Sequence, residues 1–174
     1  MSNLFIRPAT PLDIASITAI YAEAVRHGTA SFEIDPPDQD EMLRRQGALM
    51  DGGFSYLVAE IDGAVTGYAY AGPYRPRPAY RFSVEDSVYV TPHAHRRGVG
   101  RGLLARLIED AERRGFRQMI AVIGDSAQMP SIELHRNAGF RLIGAIESVG
   151  HKFDRWLDTV LMQRPLGEGA NTPP

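Results

Sequence analysis

Four groups of residues in this 174-residue chain have types and spacings that could do chemistry. The first is Arg97-x-x-Gly100-x-Gly102, with Arg96, Gly98, Val99 and Arg101 completing the turn. At the start of a helix such a turn suits a phosphate. Free N–H groups point outward there, the helix dipole favours an anion, and guanidinium groups add charge-assisted hydrogen bonds. The second is Glu85, in an extended run among apolar neighbours. A carboxylate in such a place has either a partner, here one of the nearby arginines, or a task. The third is Arg75 and Arg77, on a loop stiffened by Pro73, Pro76 and Pro78. They could grip the oxygens of a small anion bidentately, or form an exposed basic loop. The fourth is His135, on a short helix where it faces either the core or a cleft.

Two nucleotide readings compete for the glycine-rich turn and fail. A Walker loop needs Gly-Lys-Ser/Thr to reach the outer phosphates and magnesium, and the chain has none. Gly100-x-Gly102-x-x-Ala105 fits a dinucleotide fingerprint, with Asp125 after a later strand. Those glycines, however, come about ten residues past Val90, and too little chain follows for a dinucleotide-binding second half.

The elements that must position these residues are legible. Residues 4–7 read as a strand; Thr10-Pro11-Leu12-Asp13 starts a helix with Ile14, Ile17, Tyr21, Ala24 and Val25 on one face and Gly28 at its end. A second helix carries Met42, Leu43, Gln46, Leu49 and Met50, and Gly52-Gly53 stops it. Residues 54–61 and 65–71 are strands joined at Asp62-Gly63, a hairpin signal. After the proline-rich loop come a strand at 83–90, a helix with Leu103, Leu104, Leu107, Ile108 and Ala111 inward, and a buried strand at 119–123. A short helix at 131–138 and closing strands at 141–149 and 153–163 complete the order. The Gly/Pro-rich residues 167–174 are expected to be a disordered tail after one domain spanning 1–166. Early hairpins and a late βαβ crossover predict a mixed α/β sheet.

Composition excludes several classes. A net charge of −2 gives no electrostatic case for nucleic acid or an anionic membrane surface. With no cysteine there is no disulfide and no thiol nucleophile, and the five histidines lack a metal-ligand spacing. The N-terminal residues lack the basic-then-apolar build of a signal peptide, and no apolar run reaches membrane length, so a cytoplasmic location is expected.

The glycine-arginine turn, with its preceding strand, its following helix, the strand at 119–123 and the short helix ending in Gly139-Phe140, resembles the pyrophosphate motif of the GNAT superfamily of N-acetyltransferases. The resemblance implies an α/β (α+β) fold whose mostly antiparallel sheet splays between strands 4 and 5, with acetyl-CoA in that wedge. It covers roughly residues 6–163. Ser31-Phe32-Glu33, the Arg75–Arg81 loop sequence, Val84-Glu85-x-Ser87-Val88-Tyr89-Val90, Ser131-Ile132-x-Leu134-His135 and Gly150-x-Lys152-Phe153-x-x-Trp156-x-Asp158 are similar to the phosphinothricin acetyltransferase group, which includes relatives acting on methionine sulfoximine and methionine sulfone. His135 stands where a common superfamily pattern has a tyrosine acid, as in that group. Gln128 stands where the group has Asn, a pantetheine contact.

The resemblance assigns roles. Glu85 is expected as general base for the substrate ammonium, with a structural ion pair as the alternative, and His135 as acid/base partner. Val88, Tyr89 and Val90 would pair with pantetheine like an added strand. Arg96 to Gly102, with Gln128 and Ser131, would complete the acetyl-CoA site. Tyr89 offers a second route to the thiolate. Phe32, Glu33, Arg75, Arg77, Glu85, Asp86 and Ser87 would hold the amino acid. The implied enzyme is an acetyl-CoA-dependent amino-acid N-acetyltransferase, a homodimer, with no metal. Acetylation of a protein N-terminus or lysine, and a non-catalytic acyl-CoA sensor, are the alternatives.

Overall fold

The structure, a computed structural model, describes residues 3–174. Seven strands form one sheet: β1 (Leu4–Pro8), β2 (Tyr56–Ile61), β3 (Ala64–Pro73), β4 (Ser83–Val90), β5 (Gln118–Gly124), β6 (Arg141–Lys152) and β7 (Arg155–Pro165), in spatial order β1-β2-β3-β4-β5-β7-β6. Only β4 and β5 run parallel; every other neighbouring pair is antiparallel. Four helices cover the sheet: α1 (Ile14–His27), α2 (Gln39–Asp51), α3 (Val99–Arg113) and α4 (Met129–Asn137).

Strand alternation explains the two cores. On one face Leu57, Ala59, Ala69, Ala71, Val84, Met119 and Ala121 meet Leu103, Leu104 and Leu107 of α3 and Ile132 of α4. On the other Tyr56, Val58 and Tyr68 meet Ile17, Ile20, Tyr21 and Val25 of α1 and Met42 of α2. Gly67 matters here, because a Cβ on it would lie 2.8 Å from Val99 Cγ1. That close approach seats the start of α3 on β3.

Two differences from the expected elements have local causes. The turn at Pro11–Asp13 is a 3-10 turn, and α1 proper starts at Ile14. The Asp13 carboxylate is drawn back onto the Thr10 N–H at 2.8 Å and onto Arg7, which tightens this turn. β6 runs on to Lys152 because Phe153 and Asp154 both take positive φ, 52° and 56°, and close a two-residue hairpin. Residues 167–170 form a turn, and Arg117 Nη2 donates to Thr172 Oγ1 at 3.1 Å.

Candidate active site

The site is a gap in the sheet. β4 and β5 pair only from Ser83–Gln118 to Asp86–Ala121, and beyond that point neither strand faces the other. β3 stays paired to β4 as far as Val90, and β7 stays paired to β5 as far as Gly124, so the separation is confined to this seam. The cleft so opened is lined by Ser87, Val88, Tyr89, Val122, Gln128 and Ser131, among others. Backbone groups along this stretch of β4 lack a strand partner on the β5 side, where an extended ligand with amides could add itself. The Val90 carbonyl is partly used, since His95 Nε2 donates to it at 3.1 Å.

Alternation along β4 sends consecutive side chains to opposite faces at the mouth of this gap. Glu85 goes to the α1/α2 face, near Tyr70 and Arg75. Burial, and then the charge of Asp86, push the Glu85 carboxyl above its usual pKa, and Arg75 pulls the other way. Among the described residues Glu85 forms no ion pair, so the alternative of a structural salt bridge finds no partner. Asp86 goes to the α3/α4 face, where its Oδ2 lies 2.9 Å from His135 Nε2. His135 Nδ1 donates to the Ser131 carbonyl at 2.7 Å. Burial lowers the His135 pKa, but the hydrogen bond and charge of Asp86, with the Ser131 carbonyl, carry it above the ordinary value. Asp86, expected among the groups that hold the amino acid, thus belongs to the histidine. The Tyr89 ring goes the opposite way from His135, between Tyr21 and Tyr68 at 5.1 and 5.2 Å, and burial pushes its pKa well up. It holds its proton and stays in that stack.

The glycine-arginine turn lies on the same face as His135. Arg96 and Gly98 take positive φ, 60° and 84°, which curls the chain into α3. The first helical bond here runs from the Gly102 N–H to the Gly98 carbonyl, so the amides of Val99, Gly100 and Arg101 precede it and are free for an anion. Gly102, expected in the phosphate cradle, has spent its N–H in the helix, and a Cβ there would lie 2.8 Å from Ile6 Cδ1. It is a packing glycine. Among the described residues no side-chain bond occupies Arg96, Arg97 or Arg101, all of which are exposed. Three free amides and three unengaged guanidinium groups fit a diphosphate.

The Acetyltransferase (GNAT) family model matches residues 17–140, which contain β4, the phosphate turn, α3, β5 and α4. The chain belongs to the GNAT acetyltransferase family. It is 56% identical over 162 residues, 93% of its length and 82% of the relative's, to phosphinothricin N-acetyltransferase of Alcaligenes faecalis. It is 43% identical, over 95% of its own length and 96% of the relative's, to the L-methionine sulfoximine/L-methionine sulfone acetyltransferase of Salmonella typhimurium. Among solved structures it superposes on a phosphinothricin acetyltransferase from Sinorhizobium meliloti in complex with acetyl-CoA, with a TM-score of 0.96 and 49% identity, covering 98% of this chain and 92% of that one.

In this acetyltransferase the loop between α1 and α2 is tied down by Lys152 and Asp125, to which the sequence reading gave no role, and by Phe32, Glu33 and Gln128, which it placed around the ligands. Lys152, buried at the end of β6, donates from Nζ to the carbonyls of Gly28 and Ser31 at 2.9 and 2.8 Å. Asp125 accepts from Thr29 Oγ1 at 3.1 Å and from Arg155 Nη2 at 2.7 Å. Gln128 spends its amide nitrogen on the same Thr29 hydroxyl, at 2.9 Å. The Phe32 ring lies on two glycines, so close that a Cβ on Gly124 would meet it at 2.8 Å and one on Gly150 would overlap it. Phe32 therefore fastens the loop to β5 and β6. Glu33 is paired with Arg45 at 2.6 Å and accepts from the Tyr21 hydroxyl at 3.1 Å. The signal for all this was the Gly150-x-Lys152 spacing, which is meaningful only once the hairpin is seen to reach back to Ser31.

Lys152→Met removes a buried ammonium and strands two carbonyls, at about 1–3 kcal/mol each. Backbone amides of residues 28–33 are expected to exchange hydrogen at least ~10-fold faster in Lys152→Met, with the rest of the sheet unchanged. Equal protection in mutant and wild type would show that the loop is fastened without Lys152.

Proposed function

We propose that this acetyltransferase moves the acetyl group of acetyl-CoA directly to the α-amino group of a small amino-acid analogue of the phosphinothricin, methionine sulfoximine or methionine sulfone type. One observation carries this reading: a single gap in the sheet has a partly desolvated carboxylate, Glu85, on one face and the Asp86–His135 pair, beside the phosphate-ready turn, on the other. Glu85 takes the ammonium proton, freeing the lone pair that attacks the thioester. Glu85 releases that proton to solvent, and the second amine proton follows the same route as the tetrahedral adduct collapses. The carbon–sulfur bond breaks, sulfur keeps the electron pair, and a proton from the His135 side converts it to thiol. One proton is released overall.

Two lines of support fix the substrate class. Relatives that share most of the chain act on zwitterions with a second oxo group. Arg75, whose charge reaches Glu85, stands where it can hold such oxygens beside the base, and Arg77 is exposed on the same loop. The homodimer belongs to this proposal. Leu142, Ile143, Ile146, Val149, Phe153 and Trp156 are all about half or more exposed along β6, its turn and the start of β7, and a second copy would cover them. So does a cytoplasmic location, where acetyl-CoA is available; among the described residues no helix is long and apolar enough to cross a membrane.

The test is a panel of free amino acids, the three analogues and short peptides with acetyl-CoA, scored by released thiol. Turnover of an analogue is expected. Turnover of peptides alone overturns the assignment. In the same assay Arg75→Ala is expected to raise KM for the amino acid by ~10-fold or more, the worth of one charge-assisted bond, and to leave KM for acetyl-CoA within twofold. Equal rises in both would mean that Arg75 acts on the fold and not on the substrate.

A further inference from the structure

His135 and Asp86 have more hydrogen-bonding constraints than a neutral histidine and a carboxylate can meet. The Ser131 carbonyl can only accept, so the proton of the 2.7 Å contact is on His135 Nδ1. A neutral imidazole has then spent its one N–H, and Nε2 presents a bare lone pair to Asp86 Oδ2 at 2.9 Å. Two lone pairs do not hold each other at that distance. Either Nε2 carries a second proton or Oδ2 carries one, and in both cases the pair contains one proton more than imidazole plus carboxylate.

The surroundings require that proton. The side chains are 5% and 1% exposed, and the other Asp86 oxygen, Oδ1, is buried with no hydrogen-bond partner among the described residues. A carboxylate so poorly solvated is costly without a positive partner, and the proton it shares with the ring supplies one. Asp86 is the charged side chain that reaches the ring, and Glu85 is the neighbour whose carboxyl feels Asp86. β5 carries no titratable residue, and the Glu133 and Arg136 side chains of α4 pair with each other at the surface. The raised His135 pKa agrees with this arrangement.

We infer that Asp86 is a positioning residue for acetyl transfer: it loads His135 with a proton shared between Nε2 and Oδ2 and keeps that proton at the wall of the cleft, where the departing thiolate can take it. This rests on the functional reading above. The balance is simple. When the carbon–sulfur bond breaks, sulfur takes the electron pair and then the shared proton. The dyad is left as carboxylate plus Nδ1–H imidazole, and a proton from the solvent pool that receives the amine protons reloads it. A thiolate, whose conjugate acid has an ordinary pKa of about 8.5, is a suitable acceptor for a proton held above the usual histidine range.

Asp86→Asn is the decisive variant. Its amide can donate to the bare Nε2, so shape and contact survive while the extra proton is lost. Per folded molecule, kcat is expected to fall by ~10- to 10²-fold with KM for acetyl-CoA within twofold, and the loss should not add to that of His135→Gln in the double mutant. A purely structural role would instead lower the melting temperature and leave kcat alone. Nitrogen NMR of the His135 ring in the wild type needs no variant. The shared proton should persist at pH 7, where an isolated imidazole of pKa about 6.5 is mostly neutral. A wild-type ring that titrates at or below that value, or additive kcat losses, overturns the proposal. If the wild type acetylates nothing in the panel, the functional reading fails, while the ring signals still decide whether the proton is shared.

Discussion

Glu85→Gln is expected to lower kcat by ~10²–10⁴-fold at neutral pH with acetyl-CoA affinity nearly unchanged, the usual worth of a positioned base. Glutamine keeps the volume and the hydrogen bonding but accepts no proton. Because burial and Asp86 raise the Glu85 pKa, the wild-type rate should climb with pH through that raised value and on until the amine is free. The mutant should lack the lower limb and recover part of its rate at high pH, where solution supplies neutral amine. Stability separates this reading from a structural one. A carboxyl whose pKa is higher in the fold than in the unfolded chain, where it is about 4.5, binds its proton more tightly when folded, so folding weakens as pH rises between the two values. Removing that charge should keep or raise the melting temperature at pH 7. A lowered melting temperature with near-normal kcat would end the general-base assignment.

The split of Glu85 and Asp86 across the sheet shows where the sequence is legible and where it stops. The seven strands and four helices follow from apolar periodicity, from Asp62-Gly63 and Gly52-Gly53, and from the prolines of 73–78, all of which act within a few residues of themselves. Alternation alone puts Glu85 and Asp86 on opposite faces. Which face holds the histidine depends on where α4 docks, and no local pattern states that. The same limit hid the partners of Lys152, whose acceptors lie more than a hundred residues away in the chain. The turn at Phe153-Asp154 was missed for a different reason. It carries positive φ without glycine or asparagine, so the chemistry that marks such hairpins is absent and the strand looked shorter than it is. The glycine motif was read correctly as a helix start, but the pattern could not tell which of its glycines would keep a free N–H and which would be packed.

That distinction gives the second large effect. Gly100→Val is expected to weaken acetyl-CoA binding by ~10²-fold or more while the protein stays folded. A Cβ at Gly100 meets Leu134 Cδ2 at 3.5 Å and Val90 Cγ2 at 3.7 Å, ordinary contact distances, so the fold tolerates it. The valine methyl groups, however, would stand between the end of β4 and α4, beside the amides of Val99, Gly100 and Arg101. Screening two charge-assisted bonds to a diphosphate costs about 1.5–3 kcal/mol each, and every 1.4 kcal/mol is tenfold. Gly102→Val should behave in the opposite way. Its Cβ would come to 2.8 Å from the tip of Ile6 and 3.4 Å from Leu4, and the valine methyl groups add to that crowding, so these side chains must repack, at about 1–3 kcal/mol, and the melting temperature should drop by ~2–4 °C per kcal/mol. Its N–H already belongs to the helix, so the surviving folded molecules should bind acetyl-CoA within a few-fold of the wild type. Calorimetry and a melting curve on both variants read the two effects independently. Undiminished affinity in folded Gly100→Val would remove the start of α3 from the acetyl-CoA site, and lost affinity in fully stable Gly102→Val would return that glycine to the cradle.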